Sequence, residues 1–323
     1  YEYRSRGQGP GALSQAEIRA RWTRMTTETT TPEKALADVR KEIDAIDDAL
    51  QDLLMKRTEL VVEVAEAKAR AASAAGQGSF VAFRPGREAE VLRRLAERHE
   101  GRLPLRVLVR LWREIMAAMT RIQGPFRVDV FGGSDGDALG FWDLARNYYG
   151  STTPMDIHDD AREVLRRVGH DRSAIGILPQ PGMGMGDQWW VAFATGGYSD
   201  IRIVARLPFV DVEKEDDGAK ALVLAHSNFE STGDDTALLA LSTTESLSDS
   251  RVAALVKAAG IEGRRIASAK IENGAAKHIY LIELPHHLGE DDERLAALDE
   301  EPVAEVRLLG GYANPLRLAR DGE

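Results

Sequence analysis

The chain has no cysteine among its 323 residues. That excludes disulfides and thiolate chemistry, and it fits a reducing cytoplasm, the compartment expected here. No long uncharged apolar run is present either, so no membrane association is expected. Positive charge is in deficit: 42 Lys and Arg stand against 52 Asp and Glu, a net charge of -10. Binding nucleic acid in general needs clustered positive charge, and this balance argues against it. His158 and His226 lack ligand-spaced partners and His286-His287 sits at a strand end, so neither a metal site nor a cofactor is expected.

What is present is unevenly distributed. Residues 34–123 are rich in Arg and Lys, whereas 211–217 and 289–301 are acidic, so an anionic ligand falls to the N-terminal third. Residues 1–31 combine Gly-Gln-Gly-Pro-Gly with a Thr-rich run and read as a disordered extension, with Met25 a possible natural start. From Pro32 to Arg70 apolar residues fall at Leu36, Val39, Ile43, Ile46, Leu50, Leu53, Leu60 and Val64, the 3-4 spacing of a long amphipathic helix. Thr31, Pro32 and Glu33 supply a cap, a first-turn proline and an acidic first turn. The seam slot between Leu53 and Leu60 is Arg57. A charge facing a helical interface requires a partner, either a carboxylate of another helix or an anion held in an interior cavity. Lys68 lies about 16 Å further along nearly the same face, and Arg40 about 25 Å the other way. Arg40 could join Arg57 around one small ligand only from a second, antiparallel chain.

A small-residue loop is expected from Ala71 to Gly78. A second helix then runs over Pro85–His99 on a stripe of Val91, Leu92 and Leu95. A third covers Pro104–Gln123, with Val107, Leu108, Leu111, Trp112, Ile115, Met116, Met119 and Ile122 inward. Three helices make a thin bundle that buries more by pairing with a second copy. Residues 34–124, through VRKEIDAIDDALQDLLMKRTELVVEVAEAK, RPGREAEVLRRL and LWREIMAAM, resemble the all-helical chorismate mutases, in the version fused to prephenate dehydratase. The resemblance implies an intertwined homodimer acting on chorismate. Arg40 corresponds to the arginine donated by the partner subunit, and Arg57 and Arg87 to those that bind carboxylates. Lys68 and Gln123 correspond to the donors at the ether oxygen, and Glu88 to the acid that holds the substrate hydroxyl. Arg84 stands where some members carry aspartate.

From Phe126 strands and helices alternate, the mark of an α/β layer. FRVDVFGG reads as a strand and turn, followed by a helix over 138–148 and another near 160–168. Further strands are expected at 175–178, 190–194, 200–205 and 221–226. The Gly-Gly turn, ARNYYG and IGILP resemble the dehydratase domain, a two-lobed fold like the periplasmic binding proteins. Where that family has its glycine-rich substrate loop this chain has GGSDGD, and its Thr-Arg-Phe becomes Ala219-Lys220-Ala221. Alanine has no hydroxyl to pass a proton to a leaving group, so the resemblance implies a dehydratase relic. GMGMGDQWW at 182–190 reads as a loop covering a tryptophan pair. Residues 236–310 give the order βαββαβ, which is ferredoxin-like, and LLGGYANPL resembles the end of an ACT domain. That resemblance implies a dimerising or sensing module with a possible aromatic amino-acid effector, although the effector motifs themselves are absent.

The expected organisation is therefore multidomain. A disordered segment (1–31) precedes an all-α mutase bundle (32–124), a two-lobed α/β domain (125–232) and an α+β ACT-like domain (233–323). The expected activity is isomerisation of chorismate to prephenate in aromatic amino-acid biosynthesis. Two readings stand beside it: a bifunctional mutase–dehydratase, and a sensor that binds without turnover.

Overall fold

The computed structural model describes residues 32–76, 81–133, 138–182, 188–212, 218–298 and 300–318. The expectations for residues 1–31, for the Ser-Asp-Gly-Asp part of the Gly-Gly turn, for the loop at 183–187 and for the acidic run at 213–217 lie outside the described residues. The chain divides into two compact units, Tyr1–Leu60 and Val61–Glu323.

Helix α1, Pro32–Ala74, runs unbroken for 43 residues through that division. Where a loop was expected at 71–74 the helix continues, because alanine is the best helix former. It stops at Gly76, whose φ of 70° belongs to the left-handed region. The predicted seam stays in solvent: Leu36, Val39, Ile43, Ile46, Leu50, Leu53 and Leu60 are each 43–63% exposed. Helix α2, Pro85–Glu97, starts with proline in its first turn and buries Ala89 and Leu92. Helix α3, Leu105–Gln123, buries only part of the stripe expected of it: Met116 and Met119 are buried and Leu108, Trp112 and Ile115 half-buried. Val107, Leu111 and Ile122 are exposed, while Val109, Arg113, Met116, Ala117, Met119 and Thr120 are buried. The reason is its neighbour: α3 packs against α4, Ala138–Tyr149, rather than closing a free-standing bundle.

The rest is one large sheet. Its strands are β1 Arg127–Phe131, β2 Met155–His158, β3 Ala174–Pro179, β4 Arg202–Leu207, β6 Ala221–Ala225, β7 Asp235–Thr243, β8 Arg264–Asn273, β9 Ala276–Leu284 and β10 Val303–Ala313. They lie in the order β2-β1-β3-β6-β4-β10-β7-β9-β8, while β5 Val210–Val212 pairs with β11 Leu316–Leu318. Strands β1, β2 and β3 are parallel, and α5, Ala161–His170, covers them. Asp160 caps α5 by accepting from the Arg162 amide at 2.8 Å. At Gly176 a Cβ would meet Val164 and Val168 of α5 at 2.8 and 2.9 Å, so glycine sets how closely helix and sheet approach.

Two sequence expectations change here. The apolar run at 190–194 is not a strand but part of helix α6, Trp189–Thr195, with Trp189, Trp190, Phe193 and Ala194 all buried. Among the described residues the α/β part forms a single layer, β2-β1-β3-β6-β4, and not two lobes. The βαββαβ order of the C-terminal part is present, with α7 at Asp249–Ala258 and a short α8 at Glu293–Ala296. Its strands run β10-β7-β9-β8, each antiparallel to its neighbour, which is a ferredoxin-like arrangement. It joins the α/β layer where Gly310 of β10 pairs in parallel with Ile203 of β4. No helix among the described residues is long and apolar enough to cross a membrane.

Candidate active site of the helical segment

Lys68 lies in the last two turns of α1 and Gln123 is the final residue of α3, 55 positions later. They meet: Lys68 Nζ donates to Gln123 Oε1 at 3.3 Å, and Gln123 Nε2 donates to the Met119 carbonyl at 3.2 Å. The ammonium is half-buried. Desolvation pulls its pKa below the ordinary lysine value, the nearby Arg84 guanidinium adds to that, and Glu230 opposes it.

Arg84 is the residue just before α2. Its Nη2 donates to both carboxylate oxygens of Glu230, at 2.7 and 2.8 Å. Arg87, one turn on, is exposed and pairs with Glu90 at 2.8 Å. Glu88 faces the other way, into the core. Its Oε2 accepts from Arg113 Nη1 at 2.7 Å, and Arg113 Nη2 donates to the Tyr148 hydroxyl at 3.0 Å. The Arg113 guanidinium also lies 3.9 Å from the centre of the Tyr148 ring. Burial raises the Glu88 carboxyl above the ordinary carboxylate range, partly offset by Arg113. The same two influences leave the Tyr148 phenol at about 12.

In the first unit Arg40 is exposed. Arg57 is half-buried, its guanidinium is lowered from its ordinary value by desolvation, and its Nη1 is buried without a hydrogen-bond partner among the described residues. Of the residues singled out from sequence, then, the structure brings Lys68, Gln123 and Arg84 together and engages Glu88 elsewhere. Sequence reasoning missed Arg113, Tyr148 and Glu230. Arg113 interrupts the apolar side of α3 as Arg57 interrupts the seam of α1, and that signal was readable. Glu230 carries no local signal, since its partner is 146 residues away.

Residues 39–124 match the family model of chorismate mutase type II. This segment is a chorismate mutase domain. Two curated relatives extend the likeness: the bifunctional chorismate mutase/prephenate dehydratase of Stutzerimonas stutzeri is 35% identical over 149 residues, and that of Pseudomonas aeruginosa 31% over 150. Each alignment covers 45% of this chain and 38% of the relative, so the chain matches well under half the length of either. Among solved structures, prephenate dehydratase from Streptococcus mutans overlays 59% of this chain and 100% of its own, with 16% identity and a TM-score of 0.41. Within this chain the segment matching the mutase model is followed by the α/β layer and the ferredoxin-like strands described above. Lys68, Arg84, Arg87, Glu88 and Gln123 all fall within the mutase domain, as do Arg40 and Arg57.

Proposed function

We propose that the chain converts chorismate to prephenate by an intramolecular [3,3] rearrangement. The observation that carries this reading is the Lys68–Gln123 contact, which joins the two expected ether-oxygen donors inside the segment matching the mutase model. The reaction breaks a C–O bond while a C–C bond forms, within one molecule, and needs no nucleophile. The protein's task is to hold the compact conformer and to stabilise the charge that gathers on the ether oxygen. Lys68 has three N–H donors, of which Gln123 takes one. Gln123 orients the ammonium, and its own amide N–H would serve the ether oxygen by leaving the Met119 carbonyl. Arg57 and Arg87 bind the two carboxylates, a task that suits guanidinium. Arg40 comes from a second copy. The α1 seam left in solvent supports that pairing, since an apolar stripe of this length fits a helical partner. Glu88 retains its assignment to the substrate hydroxyl only if chorismate draws it from Arg113.

The curated relatives carry both activities in their names. In this chain we assign the mutase alone, because Ala219 stands where the dehydratase motif has its threonine. The ferredoxin-like part is assigned as an ACT-like module for dimerisation or sensing. The test is incubation of the purified protein with chorismate, with prephenate and phenylpyruvate measured separately. Prephenate alone supports both assignments. Phenylpyruvate above the uncatalysed background removes the relic reading, and no consumption of chorismate removes the mutase reading. Lys68→Ala should lose at least two orders of magnitude in kcat/KM, a typical effect of deleting a donor to developing charge.

A further inference from the structure

Arg84 sits at the entrance to α2, close enough to Lys68 for its positive charge to lower the lysine's pKa. Nothing in its own turn holds it, because Arg84 makes no side-chain capping bond to α2. What holds it is Glu230, from the connection between β6 and β7, more than a hundred residues beyond the end of the mutase domain. We infer that Glu230 is a positioning residue of the mutase site, supplied from outside the mutase domain, which clasps Arg84 and fixes its guanidinium beside Lys68.

The geometry around Glu230 is that of a rigid mount. Gly86, in the first turn of α2, has no side chain, and a Cβ there would lie 3.4 Å from Thr232 Cγ2 and 3.5 Å from Glu230 Cβ. The chain at 230–232 therefore runs directly against the helix. Two turns on, Arg93 Nη1 donates to Thr232 Oγ1 at 2.7 Å and to the Thr232 carbonyl at 3.3 Å, and its Nη2 donates to the carbonyls of Asp234 at 2.6 Å and Asn314 at 3.0 Å. Asp235 closes the turn from within, accepting from the Thr232 hydroxyl and amide at 2.6 and 2.7 Å and from the Gly233 amide at 3.1 Å. A carboxylate carried on so many bonds has a fixed address, the condition for a supporting group to orient a binding group. One guanidinium nitrogen of Arg84 faces both carboxylate oxygens, leaving the other two outside the clasp.

The charges facing Lys68 define what Glu230 does electrically. Arg84 approaches from the α2 side and Glu230 from the β6–β7 connection, while α3 contributes the uncharged Gln123. On α1 itself Glu66 and Arg70 pair with each other at 3.6 Å. Glu230 opposes the effect of Arg84 on Lys68 and so favours its ammonium form, the form that can donate to the oxygen of the breaking C–O bond.

The inference rests on the mutase reading, and its test separates the two. Wild type, Glu230→Gln and Arg84→Gln are compared in full-length protein for kcat and KM with chorismate across pH, together with thermal unfolding. Wild-type turnover tests the mutase reading by itself. Given turnover, Glu230→Gln should raise KM on the order of tenfold, the loss of one charge-assisted bond. Its alkaline limb of kcat/KM should move to lower pH, because Lys68 loses its proton sooner. Arg84→Gln should raise KM similarly and move the alkaline limb to higher pH, and the double variant should be no worse in KM than either single one. A half-exposed pair contributes little to folding, so the unfolding midpoints should agree closely. An unchanged KM and pH profile in a folded Glu230→Gln protein would overturn the inference, as would additive losses in the double variant.

Discussion

Glu88 and Arg113 form the one ion pair between the described mutase residues whose side chains are both largely shielded, at 14% and 6% exposure. Removing one partner of such a pair leaves a charge in the core and costs about 3–5 kcal/mol. Arg113→Met should therefore destabilise the protein by roughly 3 kcal/mol at neutral pH, read from urea unfolding. The sign of its pH dependence follows from Glu88. Its folded carboxyl already titrates above the unfolded value, so the native state holds the extra proton in that window and stability falls as pH rises through it. Without Arg113 the carboxyl titrates higher still, and the deficit of Arg113→Met should shrink on going from about pH 8 to about pH 5. A pH-independent deficit would mean that packing on Tyr148, and not charge, is what Arg113 provides.

At the level of elements, α1 is the test case. Its 3-4 spacing fixed its existence and length to within a few residues, and its exposed seam is the structural counterpart of the same pattern. If two copies pair along it, Leu50→Glu should convert a dimer to a monomer in sedimentation and depress activity by at least tenfold, while the lone chain stays folded. Retention of the dimer would move the interface elsewhere. The helices and most strands were legible because long periodic or bounded segments carry their own signal. Trp190–Ala194 was not, since a short apolar run reads alike as a buried strand or a buried helix. Its fate is decided by packing on every side and by the bond from Trp189 Nε1 to the Pro179 carbonyl at 2.9 Å. The stripe of α3 was legible only in part, for a related reason. Its pattern was right for a helix, but which side is buried depends on α4, which periodicity in α3 cannot report. Within the site, Lys68 and Gln123 were legible as a pair through resemblance, whereas Glu230 belongs to a contact that no local pattern encodes.

On the scale of the whole molecule, the nine-stranded sheet hangs on the junction of β4 and β10. Gly310 has φ of 112°, and a Cβ there would lie 2.2 Å from the Ile203 carbonyl oxygen. Gly310→Ala should consequently cost several kcal/mol, visible as a large fall in the thermal midpoint, whereas Gly274→Ala in an open turn should cost far less. The first glycine of the LLGGYANPL ending thus has a physical reason to be there. Arg93 has a different kind of consequence. It commits α2, a helix of the mutase domain, to carbonyls at 232, 234 and 314, at the far end of the chain. A domain tied in this way is no longer a cassette. Cut out at residue 124, it would leave behind the carbonyl sockets of Arg93, the clasp on Arg84 and the ring beneath Arg113, so recombination could exchange it only together with the sheet it is fastened to.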